Sequence, residues 1–170
     1  DPSALLHVLE RRQVQRVLLP FVALQRLAEA SNTLGVRPGA LRVVVSSGEQ
    51  LRITEDVRTF CAAMPGLLLE NQYGPTETHQ VTYHSLSGDP AHYPDLPPIG
   101  RPLDGVEVQV LDAALRPVPV GVTGELYFGG DCLARTERRR VRDVTIDDET
   151  DEFVHGVDVG IPVATGVPAQ

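Results

Sequence analysis

The chain contains no lysine; all fifteen of its basic residues are arginine. Chemistry that needs a lysine ammonium beside a transferring phosphate is therefore excluded for these 170 residues taken alone. Cysteine is nearly as scarce. Cys61 and Cys132 lie far apart with no histidine at a zinc-ligand spacing, which argues against a structural metal or a disulfide framework. Positive charge is in deficit: the formal net charge is -8 and the pI is near 5.0, so neither nucleic acid nor an anionic membrane is an expected partner. The short run Arg138, Arg139, Arg140 and Arg142, beside the acidic residues 147–152, reads as a solvated patch. No apolar stretch approaches the length of a membrane span and no signal peptide opens the chain, so the expected location is the cytoplasm. Asp rather than Met stands at position 1, and the chain is expected to be a piece of a longer protein.

What is present suits one packed domain or most of one: 42% of residues are apolar. Asp1 and Pro2 read as a helix start, and Leu5, Leu6 and Leu9 recur at helical spacing, so a helix is predicted to about Arg12. Residues 14–19 make a short apolar strand ended by Pro20, and Phe21, Leu24, Leu27 and Ala28 then mark a second helix before a loop at 32–39. A β-branched strand is expected at 41–46. Thr54 is placed to cap a helix carrying Val57, Phe60, Cys61 and Met64, and a further strand falls at 67–69. Alternating short strands and amphipathic helices imply an α/β fold with a parallel sheet covered on both sides.

From about Ser85 the texture changes, because Pro90, Pro94, Pro97, Pro98 and Pro102 mark an extended surface loop. Val106, Val108 and Val110 then alternate with polar residues, a turn falls at 112–119, and 125–128 returns, which predicts an antiparallel hairpin or barrel piece. Residues 136–170 show neither period and are expected to be an irregular tail, disordered or poorly packed extended chain. The expected division is an α/β subdomain at 1–84, a Pro-rich loop with a β hairpin at 85–135, and the tail at 136–170.

The most informative stretch is Asn71, Gln72, Tyr73, Gly74, Pro75, Thr76, Glu77 and Thr78. It follows a predicted buried strand, at the sheet edge where ligands bind in open parallel sheets. Gly74 and Pro75 make a tight turn, Tyr73 offers a flat face to a base, Thr76 a hydroxyl to a phosphate oxygen, and Glu77 a hard oxygen to magnesium. From composition alone the loop reads more readily as an ordinary β-turn. His79 beside it could take a proton, but reads better as a pocket-wall or loop residue.

The block 71–78 resembles a core motif of the adenylation domains of adenylate-forming (AMP-binding) enzymes, and residues 124–135, Gly-Glu-Leu-Tyr-Phe-Gly-Gly-Asp-Cys-Leu-Ala-Arg, resemble the next core motif. Residues 98–102, 110–112 and 117–121 fall between them in family order. The likeness covers about residues 1–135 and favours the nonribosomal peptide synthetases. It implies that Gly48 and Glu49 lie along the adenine, that Asn71 meets its exocyclic amine, that Tyr73 stacks on the ring, and that Gln72 and Gly74 belong to the same nucleotide loop. It further implies that Thr76 touches the α-phosphate and that Glu77 helps hold Mg²⁺. Leu18, Val45, Ser47, Gln72, Gln80 and Val81 would line the acyl pocket.

The implied reaction joins an amino acid to ATP, giving aminoacyl-AMP and pyrophosphate, with transfer to the phosphopantetheine thiol of a peptidyl carrier domain. The family's phosphate loop, its ribose-binding aspartate and its C-terminal subdomain with the catalytic lysine are not found here, so the isolated chain is expected to be inactive. An acyl- or aryl-CoA ligase fragment and a non-catalytic domain keeping only a nucleotide loop are the alternatives.

Overall fold

A computed structural model describes residues 1–75, 79–130, 139–146 and 153–154, with the backbone alone for 139–146 and for 154. Helix α1 spans Pro2–Arg11; the Asp1 carboxylate accepts from Ser3 N at 2.9 Å, and Leu6 and Leu9 are buried. The cap satisfies an amide with no partner inside the helix. Strand β1 (Arg16–Leu19) leads through Pro20 into α2 (Phe21–Leu34), then β2 (Val43–Ser46), α3 (Glu55–Ala62) and β3 (Leu68–Tyr73).

Helix α2 runs two residues past Asn32, where a loop was expected, and stops at Gly35 with φ 68°. Two polar residues that usually favour loops are held by contacts from outside the helix. Ser31 Oγ donates to Val36 O at 2.7 Å, and Asn32 Nδ2 donates to the Asp56 carbonyl at 3.0 Å. At α3 the expected cap is in place: Thr54 Oγ1 accepts from Val57 N at 3.4 Å and donates to Gln25 Oε1, tying α3 to α2. Met64, expected on α3, lies just beyond it but stays in the core.

Strands β1, β2 and β3 are parallel, and β4 (Thr82–Leu86) and β5 (Arg101–Pro102) add antiparallel in the order β1-β2-β3-β4-β5. Strand β4 begins in a stretch for which no element was expected and ends just inside the expected loop from about Ser85. Val44, Leu69 and Leu86 lie in register and share one core with the buried faces of α1, α2 and α3. Among the described residues all three helices therefore cover the same face, where helices on both sides were expected. For α2 and α3 the reason is topological: crossovers of one hand between strands laid down in monotonic order place successive helices on the same side, and α1, ahead of β1, joins their core. The opposite face carries the row Leu18, Val45, Glu70 and Ser85, with Leu18 at 55% exposure.

The expected hairpin is β6 (Val106–Leu111) and β7 (Gly124–Gly130), paired antiparallel from Val106 opposite Gly130 to Leu111 opposite Glu125. Its turn is organised by Asp112. This carboxylate accepts from Ala114 N, from Arg116 N and from the Arg116 guanidinium, and those bonds, the Arg116 backbone N–H first, hold it below the usual carboxylate range. Two stretches of the expected irregular tail are strands, β8 (Arg139–Ile146) and β9 (Phe153–Val154), which extend the sheet in the order β6-β7-β8-β9. Charged residues hide that strand from a pattern search, whereas backbone pairing to β7 does not depend on side-chain pattern. Val81, Ile99, Val110, Leu126, Phe128 and Phe153 form a second core between the sheets.

Replacing Thr54 by Ala should lower unfolding free energy by about 1 kcal/mol in urea titration, whereas Thr54→Ser should lose only a fraction of that, because the hydroxyl does the capping.

Candidate functional site

The three parallel strands end together, and their carboxyl ends carry most of the residues singled out in the sequence. From β2 the chain leaves through Ser47, whose N–H donates to Leu19 O at 3.3 Å, and through Gly48 at φ 87°. A Cβ on Gly48 would meet nothing within 4 Å, so that backbone is open to close approach. The Glu49 carboxylate has a structural partner: it accepts from Val22 N at 3.0 Å in the first turn of α2, which has no side-chain cap of its own. That position also suits the positive end of the helix dipole.

Strand β3 is longer than the expected 67–69, so Asn71, Gln72 and Tyr73 are its last three residues rather than a loop after it. Polar groups are tolerated there because each amide is paired. Asn71 is 3% exposed, and its Nδ2 donates to Pro98 O at 2.7 Å, with Pro97 O at 3.5 Å. Gln72 Nε2 donates to Glu70 Oε2 at 2.8 Å, and the same oxygen takes Arg16 Nη2 at 2.7 Å. Half-buried Tyr73 sets its ring 6.1 Å from that of Phe128, tilted by 36°, at the edge of the second core. That contact fixes the ring plane.

Because side chains alternate along a strand, β3 sorts these residues. Asn71 and Tyr73 share the helix-side face with Leu69 and with Ser46, the register partner of Asn71. Gln72 points the other way, to the face of Leu18, Val45 and Glu70. The sheet thus brings Asn71 and Tyr73 together, and Leu18, Val45 and Gln72 together, on opposite sides of the same strand ends. On the helix side, Ser46 Oγ and Thr82 Oγ1 are buried without a hydrogen-bond partner. Val81 lies apart from the Leu18 row, in the second core, and Gln80 beside it is half-buried. Thr76 and Glu77 lie outside the described residues.

The turn after Tyr73 folds tightly back. Val81 N donates to Tyr73 O at 2.8 Å, and a Cβ on Gly74 would stand 1.5 Å from the carbonyl oxygen of His79, so only glycine fits. Exposed His79 itself takes a left-handed φ of 57°, a conformation stored in few non-glycine residues and often near binding sites. Two groups escaped sequence reasoning: the Pro98 carbonyl on Asn71 and Phe128 behind Tyr73. The proline run was a signal for the first, since it fixes carbonyl directions along an otherwise irregular segment.

The strand ends thus bring together a flat aromatic ring at Tyr73, the buried amide of Asn71 and the open glycine backbone of Gly48. Among the described residues no cluster of three His, Cys, Asp or Glu could hold a metal. The family model for AMP-binding enzymes matches residues 1–136. Tyrocidine synthase 2 of Brevibacillus parabrevis is 31% identical over 127 residues, covering 75% of this chain and 4% of its own length. The nonribosomal peptide synthetase FmoA3 (S1046A), solved in its alpha-methyl-L-serine-AMP bound form, aligns over 93% of this chain and 20% of its own, with a TM-score of 0.76 and 20% identity. PA1221, a nonribosomal peptide synthetase protein containing adenylation and carrier (PCP) domains, aligns over 93% of this chain and 36% of its own, with a TM-score of 0.73 and 22% identity.

The chain belongs to the AMP-binding enzyme family. It resembles the nonribosomal peptide synthetases above over a small part of their length: 4% of tyrocidine synthase 2 and 20% of FmoA3.

Gly74→Ala should shift the backbone amide resonances of residues 79–81 and cost about 1–3 kcal/mol in stability, since the loop backbone has to move. Gly48→Ala should leave those resonances in place, its cost being confined to the strained φ.

Proposed function

We propose that this segment supplies the adenine-binding edge and one wall of the acyl pocket of a domain that activates an amino acid with ATP. The carrying observation is the sorting by β3: Asn71 and Tyr73 on one face, Gln72 with Leu18 and Val45 on the other. Two ligands held on opposite sides of one strand end meet at its tip. A carboxylate held there attacks the α-phosphorus, the new bond is O–P, and the bond to pyrophosphate breaks. Little covalent help is needed, because the nucleophile is already ionised; positioning and charge stabilisation carry the rate.

On this reading Thr76 contacts the α-phosphate and Glu77 holds Mg²⁺, which when bound supplies Lewis-acid stabilisation of charge on the phosphate oxygens. The pyrophosphate is the leaving group, and a peptidyl carrier domain's phosphopantetheine thiol receives the aminoacyl group; the carrier domain in PA1221 supports that partner. Ser47 and Gln80 complete the acyl wall, and the α/β part and the hairpin part act as two subdomains around the nucleotide; a boundary between 84 and 85 would cut β4, so the first part runs on through β5.

The lysine-free chain should not by itself catalyse amino-acid-dependent exchange of pyrophosphate into ATP. Each absent cationic donor costs on the order of 10²-fold or more. Exchange above a no-enzyme blank would contradict this. AMP should still bind, no tighter than about millimolar, because one stacked ring and one or two hydrogen bonds barely exceed the cost of immobilising the nucleotide. In ligand-observed NMR, Tyr73→Phe should keep saturation transfer to the adenine protons and Tyr73→Leu should reduce it. Equal transfer in both would mean that no base stacks on Tyr73.

A further inference from the structure

Resting on the nucleotide reading above, we propose that the carbonyl of Pro98 sets the base selectivity of the site by locking the Asn71 amide in one orientation. An asparagine amide offers a donor end and an acceptor end, and flipping it exchanges the two at almost no intrinsic cost. Here the flip is blocked. Pro98 O and Pro97 O both face the same end of Asn71, at 2.7 and 3.5 Å. Two carbonyl oxygens accept only from N–H, so Nδ2 must occupy that end, and reversing the amide would set three oxygens against one another in a buried space. Oδ1 is left as the amide atom for a ligand. It accepts from the exocyclic amine of adenine and repels the keto oxygen at the same position of hypoxanthine.

The lock needs a carbonyl that cannot drift, and the segment bearing Pro98 is anchored on both sides. Upstream, Arg58 on α3 donates to the carbonyls of Pro90 and Tyr93 and pairs with Asp95 at 2.9 Å, while Ile53 N donates to Asp95 O at 2.9 Å. Downstream, buried Ile99 donates its N–H to Phe153 O at 2.9 Å, and Gly100, at φ 84°, sits so close to β4 that a Cβ would lie 1.9 Å from Tyr83 O. Arg58 is thus a positioning residue, acting on the base only through the strap, Pro98 and Asn71.

Asparagine-selective ¹⁵N labelling of the whole chain gives two side-chain amide pairs, Asn32 and Asn71, told apart by Asn71→Leu. In the free chain the Asn71 pair should exchange with solvent at least about tenfold more slowly than a free asparagine amide. AMP should bind about tenfold more tightly than inosine monophosphate, the equivalent of one misdirected hydrogen bond. Arg58→Ala should speed exchange at Asn71 and bring the AMP-to-IMP ratio towards one. Fast exchange of the Asn71 pair in the unsubstituted chain overturns the lock whatever the ligand result. Equal binding of the two nucleotides overturns the selectivity inference while leaving a nucleotide site in place. If neither nucleotide binds, the nucleotide reading itself falls and this inference falls with it.

Discussion

The pleat of β3 is the constraint on which the rest of the site depends. As an inner strand it is hydrogen-bonded on both sides, to β2 in parallel and to β4 antiparallel, so it can neither slip by one residue nor rotate. A slip would exchange every side chain between the faces. Leu69 would leave the helix-packed core, Glu70 would enter it, and Asn71 and Gln72 would trade places. Burial of Leu69 and Val44 under the helices thus fixes which way Asn71 and Tyr73 point.

The polar contacts that refine this frame differ in weight. The Arg58–Asp95 pair has an aspartate side chain 88% exposed, so its charge attraction is largely screened and contributes little. The Arg58 bonds to the Pro90 and Tyr93 carbonyls matter more, because they satisfy backbone acceptors in a loop with few regular partners. Arg16 and Gln72 converge on Glu70 in the same way on the other face, holding Gln72 beside the Leu18 and Val45 row. Tyr73 gains its orientation from contact with Phe128, which couples the hairpin sheet to the end of β3.

Much of this was legible in the residues alone. Helical spacing of leucines gave α1 and the start of α2, Thr54 announced α3, and the Val106, Val108, Val110 alternation announced the hairpin, because each signal is local. The block from Asn71 to Pro75 marked the end of a strand, and Gly74 the close approach that follows it. Less legible were β4, β8 and the last residues of β3, where charged and amide side chains interrupt the apolar pattern while backbone pairing to a neighbour supplies the stability.

The sequence by itself determined the family, the alternation of helices and strands up to β3 and the hairpin of β6 and β7, since motif spacing and short-range periodicity are written along the chain. Only the tertiary structure decided which face each residue serves, that three helices cover one side of the sheet, that Glu49 caps α2, and that Pro98 holds Asn71 from 27 residues away. Those facts depend on strand order and register. Register is set by long-range backbone pairing and by burial of the sheet's apolar face, and neither leaves a mark at a fixed spacing in the sequence.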